Sequence, residues 1–520
     1  MRYALLFLVL LAAQARAQQN DIPLQRDIYI DVERNAARLD ARIHSGLKPL
    51  MESRADLTHV LGYRTDSAKY YYIFTEKLLK EHLLIVDEPD FRLTLDPMLH
   101  QEAGFDLGDA TRYPDTSRFY FNGRGFWLRG DIGGKVSFQT MFQENQGLMP
   151  QYLYRFYKET NVLPGLGRVK LFDGRKVDFG LAQGNVAYAP APWIAFRMGH
   201  GKRFVGHGYR SMLLSDNAIP VPYAEMSLLS PNKRWQYTTW HAKLMHGVSK
   251  YDRLPTGESS ESLFYWMRAR FHHLSVDLGR VQLGLFEATL FRTIDSEGVR
   301  PFDPMELNPI IGLNTAAYGF GKGTKCLVGT DLRLKLTDKA YAYGQWATDG
   351  PGRFAWQAGV RAFDVLRKDL HVQLEYNAAT PYMYTAPVVR QAYMQAGQPL
   401  AHPRGTAFGE AVAIVDAGFG RLWLQGKLLL AAYQVDTGGV YSHGTSLEQT
   451  DTPRPSPEGP LTRHQTFVDA SASYLVNPSS NFRLVLGCMR RDVPGSIDAV
   501  QSTYVYLAVR TMLFNRYYDF

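Results

Sequence analysis

Residues 331–336 read Asp-Leu-Arg-Leu-Lys-Leu. At the two-residue period of a β-strand, Leu332, Leu334 and Leu336 share one face, and Asp331, Arg333 and Lys335 share the other. His371–Asn377 (HVQLEYN) repeats the pattern, setting Val372, Leu374 and Tyr376 against His371, Gln373 and Glu375. In Lys135–Phe142 (KVSFQTMF), Val136, Phe138 and Phe142 share a face. Such strands are apolar on one side and strongly polar on the other, as in a soluble sandwich or a membrane barrel. The spacing of the turns separates the two.

Period-two segments are predicted at 98–107, 118–130, 134–144, 177–189, 192–199, 222–230, 234–246, 262–276 and 280–292. Others follow at 326–336, 339–347, 354–365, 369–379, 407–417, 420–434, 465–476, 481–490 and 500–520. Short turns alternate with mostly long connections, among them 145–176, 200–221, 293–325, 380–406 and 435–464. Short turns at one rim and long loops at the other describe an outer-membrane barrel, and an even strand number places both chain ends at the short-turn rim. The fold class read from the sequence is an all-β transmembrane barrel of about 18 antiparallel strands, occupying 98–520.

The region before it differs. Ala4–Ala13 is a short apolar run after Arg2, and Ala15-Arg16-Ala17 has the A-x-A form of a cleavage site, so 1–17 reads as a secretory signal peptide. That run is too short to span a bilayer. In 18–97, Ile28, Val32, Ala36, Leu39, Ile43 and Leu47 recur at helical spacing, with Gly46 and Pro49 as stop signals, and Ala68–His82 reads as a second helix. This region is expected to be a small helical module plugging the periplasmic mouth.

The composition is compatible with this. The 520 residues are 45% hydrophobic and 13% aromatic, with 31 tyrosines, a bias toward strands and membrane interfaces. Loss of Arg2 and Arg16 leaves +6 of the formal charge of +8, and no basic run points to nucleic acid. Cys326 and Cys488 make no disulfide framework; both read as small strand residues. No metal-ligand or cofactor motif is present.

In the final predicted strand Tyr504, Tyr506, Met512, Phe514, Tyr518 and Phe520 share a face, broken by Arg516. Phe514, Tyr518 and Phe520 are the expected signal for the bacterial barrel-insertion machinery, and their rings are expected in the periplasmic aromatic girdle.

The most unusual stretch is Gly199–Pro222 (GHGKRFVGHGYRSMLLSDNAIPVP). It lies in a long connection but is too apolar for a solvated loop, so it is expected to fold over or into the lumen. Its glycines permit close backbone approach, whether to a ligand or in a constriction, and it lacks the spacing of a phosphate-binding loop. Residues 206–218 (GHGYRSMLLSDNA) resemble the signature of the capsule-assembly Wzi-type outer-membrane proteins. The resemblance is nearest to their Bacteroidetes branch, which includes the gliding-motility protein RemB. Asn122–Gln146 and the terminal NRYYDF fit the same branch.

The resemblance implies an eighteen-stranded barrel whose inner mouth is closed by a helical module. It implies a surface protein that holds capsular polysaccharide or takes part in surface movement. Gly206, Gly208, Ser215 and Asn217 would be structural positions of that motif. Candidate ligand residues are Lys202, Arg203, Tyr209, Arg210 and Asp216, with Tyr152, Arg155, Tyr382 and Arg404 in other long connections. Arg binds sugar carboxylates in two-point fashion and Tyr covers sugar faces. His200, His207 and Ser215 supply the minimum for acyl transfer, but the expectation is a protein without catalysis. The functions in contention are polysaccharide binding, a gliding or adhesion component, and a solute channel. The expected partners are outer-membrane lipid, the insertion machinery and surface polysaccharide.

Overall fold

A computed structural model describes residues 19–55, 72–108, 118–246, 265–295, 298–320, 323–438, 441–495 and 501–520. The signal-peptide expectation lies outside them. Eighteen antiparallel strands close into a barrel. They are β1 (Phe91–Asp106), β2 (Arg118–Ile132), β3 (Val136–Leu148), β4 (Lys176–Ala191), β5 (Ile194–Gly201) and β6 (Val221–Leu229). Next come β7 (Trp235–Met245), β8 (Trp266–Asp277), β9 (Val281–Phe291), β10 (Lys325–Thr337), β11 (Ala340–Gly350) and β12 (Arg353–Ala362). The last six are β13 (Leu370–Ala379), β14 (Phe408–Phe419), β15 (Leu422–Val435), β16 (Leu461–Asn477), β17 (Phe482–Asp492) and β18 (Ser502–Thr511). The cylinder shuts where β18 pairs with β1, from Tyr504 opposite Asp106 to Arg510 opposite His100. Every strand in the sequence reading is present, and the fold is that of an outer-membrane barrel.

The stretch 331–336 shows how the wall works. Leu332, Leu334 and Leu336 are exposed on the outside, while Asp331, Arg333 and Lys335 are buried inside. Exposed aromatics bracket the apolar belt: Trp193, Trp235 and Phe419 beside short turns, Trp266 and Phe354 at the opposite rim. Such girdles mark where a barrel meets the two membrane surfaces. No helix among the described residues is long and apolar enough to cross a membrane.

Three predicted boundaries need correction. The wall begins at Phe91, not 98, and residues 84–88 form a short strand paired with its start. Residues 18–97 therefore do not make one module. Residues 19–55 lie inside the barrel, whereas the helix α2 (Ile73–Leu79) sits at the short-turn rim, where Asn477 Nδ2 donates to the Lys77 and Glu81 carbonyls. Within the lumen the helix α1 covers only Arg26–Ala37. Beyond it the chain is extended, and its carbonyls are taken by the wall: Arg333 and Gln282 donate to Ile43 O, each at 3.0 Å, and Lys335 donates to Ala41 O. Leu39, Ile43 and Leu47 kept helical spacing without being helical because the lumen supplies partners that an isolated helix would supply itself.

The third correction concerns the end of the chain. β18 stops at Thr511, and 512–520 turns back into the lumen. In β18 the outer positions are Val505, Leu507 and Val509, while Tyr504 and Tyr506 line the inside. Phe514, Tyr518 and Phe520 pack against the interior cluster of Tyr152, Phe121 and Phe179. They are not in the lipid-facing girdle, because Arg516 on their own face and Asp519 beside them find their polar partners inside, His100 and Arg210.

Candidate functional site

The lumen is where the unusual sequence features meet. Residues 19–55 fill the short-turn end, held by ion pairs to the wall. Arg26 contacts Asp416 at 2.6 Å, Arg129 contacts Glu52 at 2.6 Å, and Glu33 pairs with Arg361 and Lys48. Above them the β5–β6 connection, 202–220, enters the barrel as expected. Leu47 and Lys48 pair as a short antiparallel ladder with Val205 and Phe204, and Gly206 N donates to Gly46 O at 2.7 Å. Two inward-folded segments thus share a small sheet.

The loop is fixed by its own sequence. Met212, Leu213 and Leu214 pack against Trp240, Phe271 and Phe286 of the inner wall. Tyr384 and Tyr393, in the β13–β14 connection, donate to the Met212 and Leu213 carbonyls at 2.6 and 2.8 Å. Gly206 has φ 126, and a Cβ there would lie 2.2 Å from Gln345 Nε2; a Cβ on Gly208 would lie 2.4 Å from Glu375 Oε2. The glycines serve close approach, and what approaches is the barrel wall.

Arg210 is the centre of a charged knot. Its Nε contacts Glu410 Oε1 at 3.1 Å, its Nη2 contacts Asp519 Oδ1 at 2.9 Å, and its backbone N donates to Glu375 at 3.0 Å. Asp519 also accepts from Tyr209 Oη at 2.6 Å and from Lys427 Nζ at 2.7 Å. Burial alone would raise the Asp519 carboxyl, but Arg210 and Lys427 hold it well below the usual carboxylate range. Asp216 accepts from Tyr517 Oη at 2.7 Å and Asn515 Nδ2 at 3.0 Å. One loop thereby locks the inward-turned 512–520 segment at two points.

The nominated ligand residues fall into two groups. Lys202, Arg203, Arg210 and Asp216 are buried, so the expectation that they meet an external ligand does not fit their placement. Lys202 donates to Asp216 O at 2.9 Å, and burial pushes it down to about 8. Arg203 pairs with Glu225 at 2.8 Å and lies 3.9 Å over the Tyr223 ring. Arg404, also turned inward, contacts Glu410 at 3.2 Å. Ser215 donates to Ala401 O and accepts from Asn217 N at 3.2 Å. Tyr152 is buried, donating to Tyr518 O at 2.9 Å. At the long-loop rim lie Arg155, half-buried on the helix α3 (Gln151–Thr160), and Tyr382, whose hydroxyl donates to Ser442 O at 2.6 Å.

The acyl-transfer minimum is not assembled. Ser215 bonds a backbone carbonyl, His207 lies 3.3 Å from Ser45 Oγ and from Asp331, and His200 bonds Ala182 O at 2.8 Å. Asp364, Asp369 and His371 converge at the short-turn rim, but Arg34 already contacts both carboxylates. Cys326 and Cys488 are free, on β10 and β17. A cavity of about 180 Å³ remains between β14–β18 and the 512–518 segment, lined by Arg26, Lys427 and Arg510 against Asp27, Glu102 and Asp469. Sequence reasoning missed Glu410, Lys427 and Asp519. Their signal was inward alternation on β14 and β15 and a lone acid among terminal aromatics.

No protein-family model matches the chain, and no curated protein resembles it in sequence. Solved structures resemble it in fold. Wzi of Escherichia coli, an outer-membrane protein involved in group 1 capsule assembly and described as a carbohydrate-binding β-barrel, superposes with a TM-score of 0.53 at 13% identity, over 94% of this chain and 99% of that one. A BenF-like porin from Pseudomonas fluorescens gives 0.45 at 10% identity over 81% and 98%, and OpdQ of Pseudomonas aeruginosa 0.42 at 11% over 80% and 97%. The likeness to Wzi is one of fold.

Proposed function

We propose that this barrel is a closed, non-enzymatic scaffold of a Gram-negative outer membrane that binds or organises surface polysaccharide through its long-loop rim. The observation that carries this reading is the filled lumen: residues 19–55, 202–220 and 512–520 occupy it together, joined to the wall by buried ion pairs. A solute channel needs a continuous wet path, and a barrel obstructed in this way is better suited to displaying its outer loops. In this reading the short turns, residues 19–55 and α2 face the periplasm. The insertion machinery meets Phe514, Tyr518 and Phe520 before that segment is tucked inside.

The rim offers the chemistry of a glycan site. Tyr154 and Arg155 on α3, Tyr382, and Tyr441 (39% exposed) supply aromatic faces and a guanidinium fork. Placement with Wzi-type capsule proteins, in the branch that includes RemB, is supported by the 206–218 motif, whose residues build the lumen knot. A gliding or adhesion role would use the same rim.

Two measurements on the full-length protein test the proposal: conductance in planar bilayers, and retention of acidic capsular polysaccharide on an array. The expected pair of results is a near-silent barrel that retains glycan, with retention lost in Arg155→Ala/Tyr382→Ala. Free conductance together with no glycan retention refutes it.

A further inference from the structure

The outer face of β7–β9 is polar where it ought to be oily. At mid-strand the inward positions are Trp240, Phe271 and Phe286, so the outward ones include Tyr237 and His241 on β7, Arg268, Arg270 and His272 on β8, and Glu287 on β9. On β8 only Val276 and Leu274 precede them from the short-turn end. A hydrocarbon belt about 25 Å tall takes in roughly five outward positions of a tilted strand, so His272 and Arg270 stand at lipid depth. A charged side chain on the lipid face costs about 2–4 kcal/mol at the midplane.

The β9–β10 connection resolves this. Its residues 298–320 fold down over the outside of the wall, and their backbone is satisfied by those same side chains. Tyr237 Oη donates to Pro309 O, Arg270 Nε to Asn308 O at 3.0 Å, and Arg268 Nε contacts Glu306 at 2.7 Å. Glu287 accepts from Gly312 N at 2.7 Å, Thr315 N at 2.8 Å and Thr315 Oγ1 at 2.6 Å. Within the segment Asp303 and Glu306 form a reciprocal cap, and Ile310 N donates to Asn308 Oδ1 at 2.9 Å. Pro301, Pro304 and Pro309 have no N–H to satisfy. Irregular backbone survives at membrane depth only when its polar groups are taken up by protein, and the wall takes up Asn308 O, Pro309 O, Gly312 N and Thr315 N.

The opposite side of the segment is apolar and open. Leu307 and Ile310 are each 59% exposed, and Phe302 and Leu313 are exposed beside them. This surface continues laterally into the exposed Leu283 and Leu285 of β9 and the Leu332 and Leu334 face of β10. We propose that 299–320 is a lipid-immersed brace: it seals the inverted polar wall of β7–β9 and presents Leu307, Ile310 and Leu313 to acyl chains. The occupant of the patch is membrane hydrocarbon, because the patch extends the lipid belt.

The test places a fluorophore on the segment in liposomes. In a Cys488→Ala background, Ile310→Cys and, independently, Leu307→Cys are labelled with bimane; Cys326 is buried and stays unlabelled. Cys488 of the unsubstituted protein, exposed on β17 with exposed Leu484 and Leu486 on the same outward face, is the lipid reference, and Leu366→Cys, at a short turn and 98% exposed, is the water reference. Phospholipids with nitroxide on the acyl chain should quench 310 and 307 to the extent seen at 488, while aqueous iodide quenches them far less than 366. Quenching by iodide as at 366 overturns the proposal. So does protection from both quenchers, which would put a second protein on the patch, with cross-linking between copies identifying that protein as this chain.

Discussion

Replacing Arg210 by Met should loosen the lumen without breaking the wall. The side chain is 1% exposed and bonds two carboxylates, Glu410 and Asp519. Removing one partner of a buried ion pair costs about 3–5 kcal/mol, because the other charge is left uncompensated. Neither carboxylate is fully orphaned here: Glu410 keeps His402 at 2.9 Å and Arg404 at 3.2 Å, and Asp519 keeps Lys427 at 2.7 Å and Tyr209 at 2.6 Å. The lower end, about 3 kcal/mol, is therefore expected. That is a factor of more than 100 in the equilibrium between seated and unseated 512–520. The assay is limited proteolysis of the protein in detergent, with cleavage sites mapped by mass spectrometry. Cuts should appear in 202–220 and 512–520 while the strands resist. Asp519→Asn should act in the same direction, and the double variant should fall short of the sum, since the two residues share a bond. Protection indistinguishable from the parent in Arg210→Met would refute the idea that this knot holds the plug.

Acid should act on the same assembly. Burial pushes His44, His207 and His402 each down to about 4. Their pKa in the plugged state lies below the ordinary 6.5, so the unplugged state takes up protons first. The plug is at full strength above about pH 6.5 and weakens as pH falls toward 4, by about 2 kcal/mol per histidine at pH 5. Protease sensitivity of 19–55 and 202–220 should rise across that window, and a flat profile from pH 7 to 4 would count against three neutral buried rings. Gly208→Ala should cost about 1–3 kcal/mol through overpacking against Glu375 and Gln357, whereas Gly426→Ala, with open space at its Cβ, should change melting by less than a degree or two.

The wall was legible because lipid outside and charge inside write opposite instructions on successive residues, and 331–336 states both. The lumen was legible only in part. Met212-Leu213-Leu214 announced an inward loop by being too apolar for solvent. The 512–520 segment was misread because alternation describes any extended chain between two unlike environments: Phe514, Tyr518 and Phe520 share a face whether the segment lies in the wall or threads the interior. Arg516, which lies 5.0 Å over the Phe121 ring, was the residue that did not fit a lipid-facing strand. The helical reading of Leu39–Leu47 failed for a related reason, since a lumen lined with Arg333, Lys335 and Gln282 can satisfy extended backbone. Partner identities such as Glu410 with Arg210, 200 residues apart, depend on barrel closure and leave no local trace.

The inverted patch on β7–β9 and the plug belong to one arrangement. Elsewhere the wall offers charges to the lumen, and the plug answers with Arg26, Glu33 and Arg210. On β7–β9 the wall offers Trp240, Phe271 and Phe286 to the lumen, and 202–220 answers with Met212 and Leu213. On these three strands alternation sets aromatic residues inward to grip an apolar loop and polar ones outward at the same height. Arg270, His272 and Glu287 stand on that outer face, and the β9–β10 segment covers them. The apolar anchor inside and the brace outside thus share one stretch of wall. Charging the brace surface, as in Ile310→Glu, should destabilise the protein in bilayers more than in detergent, where water can reach the new carboxylate. Equal losses in both media would refute the immersion of this surface in lipid.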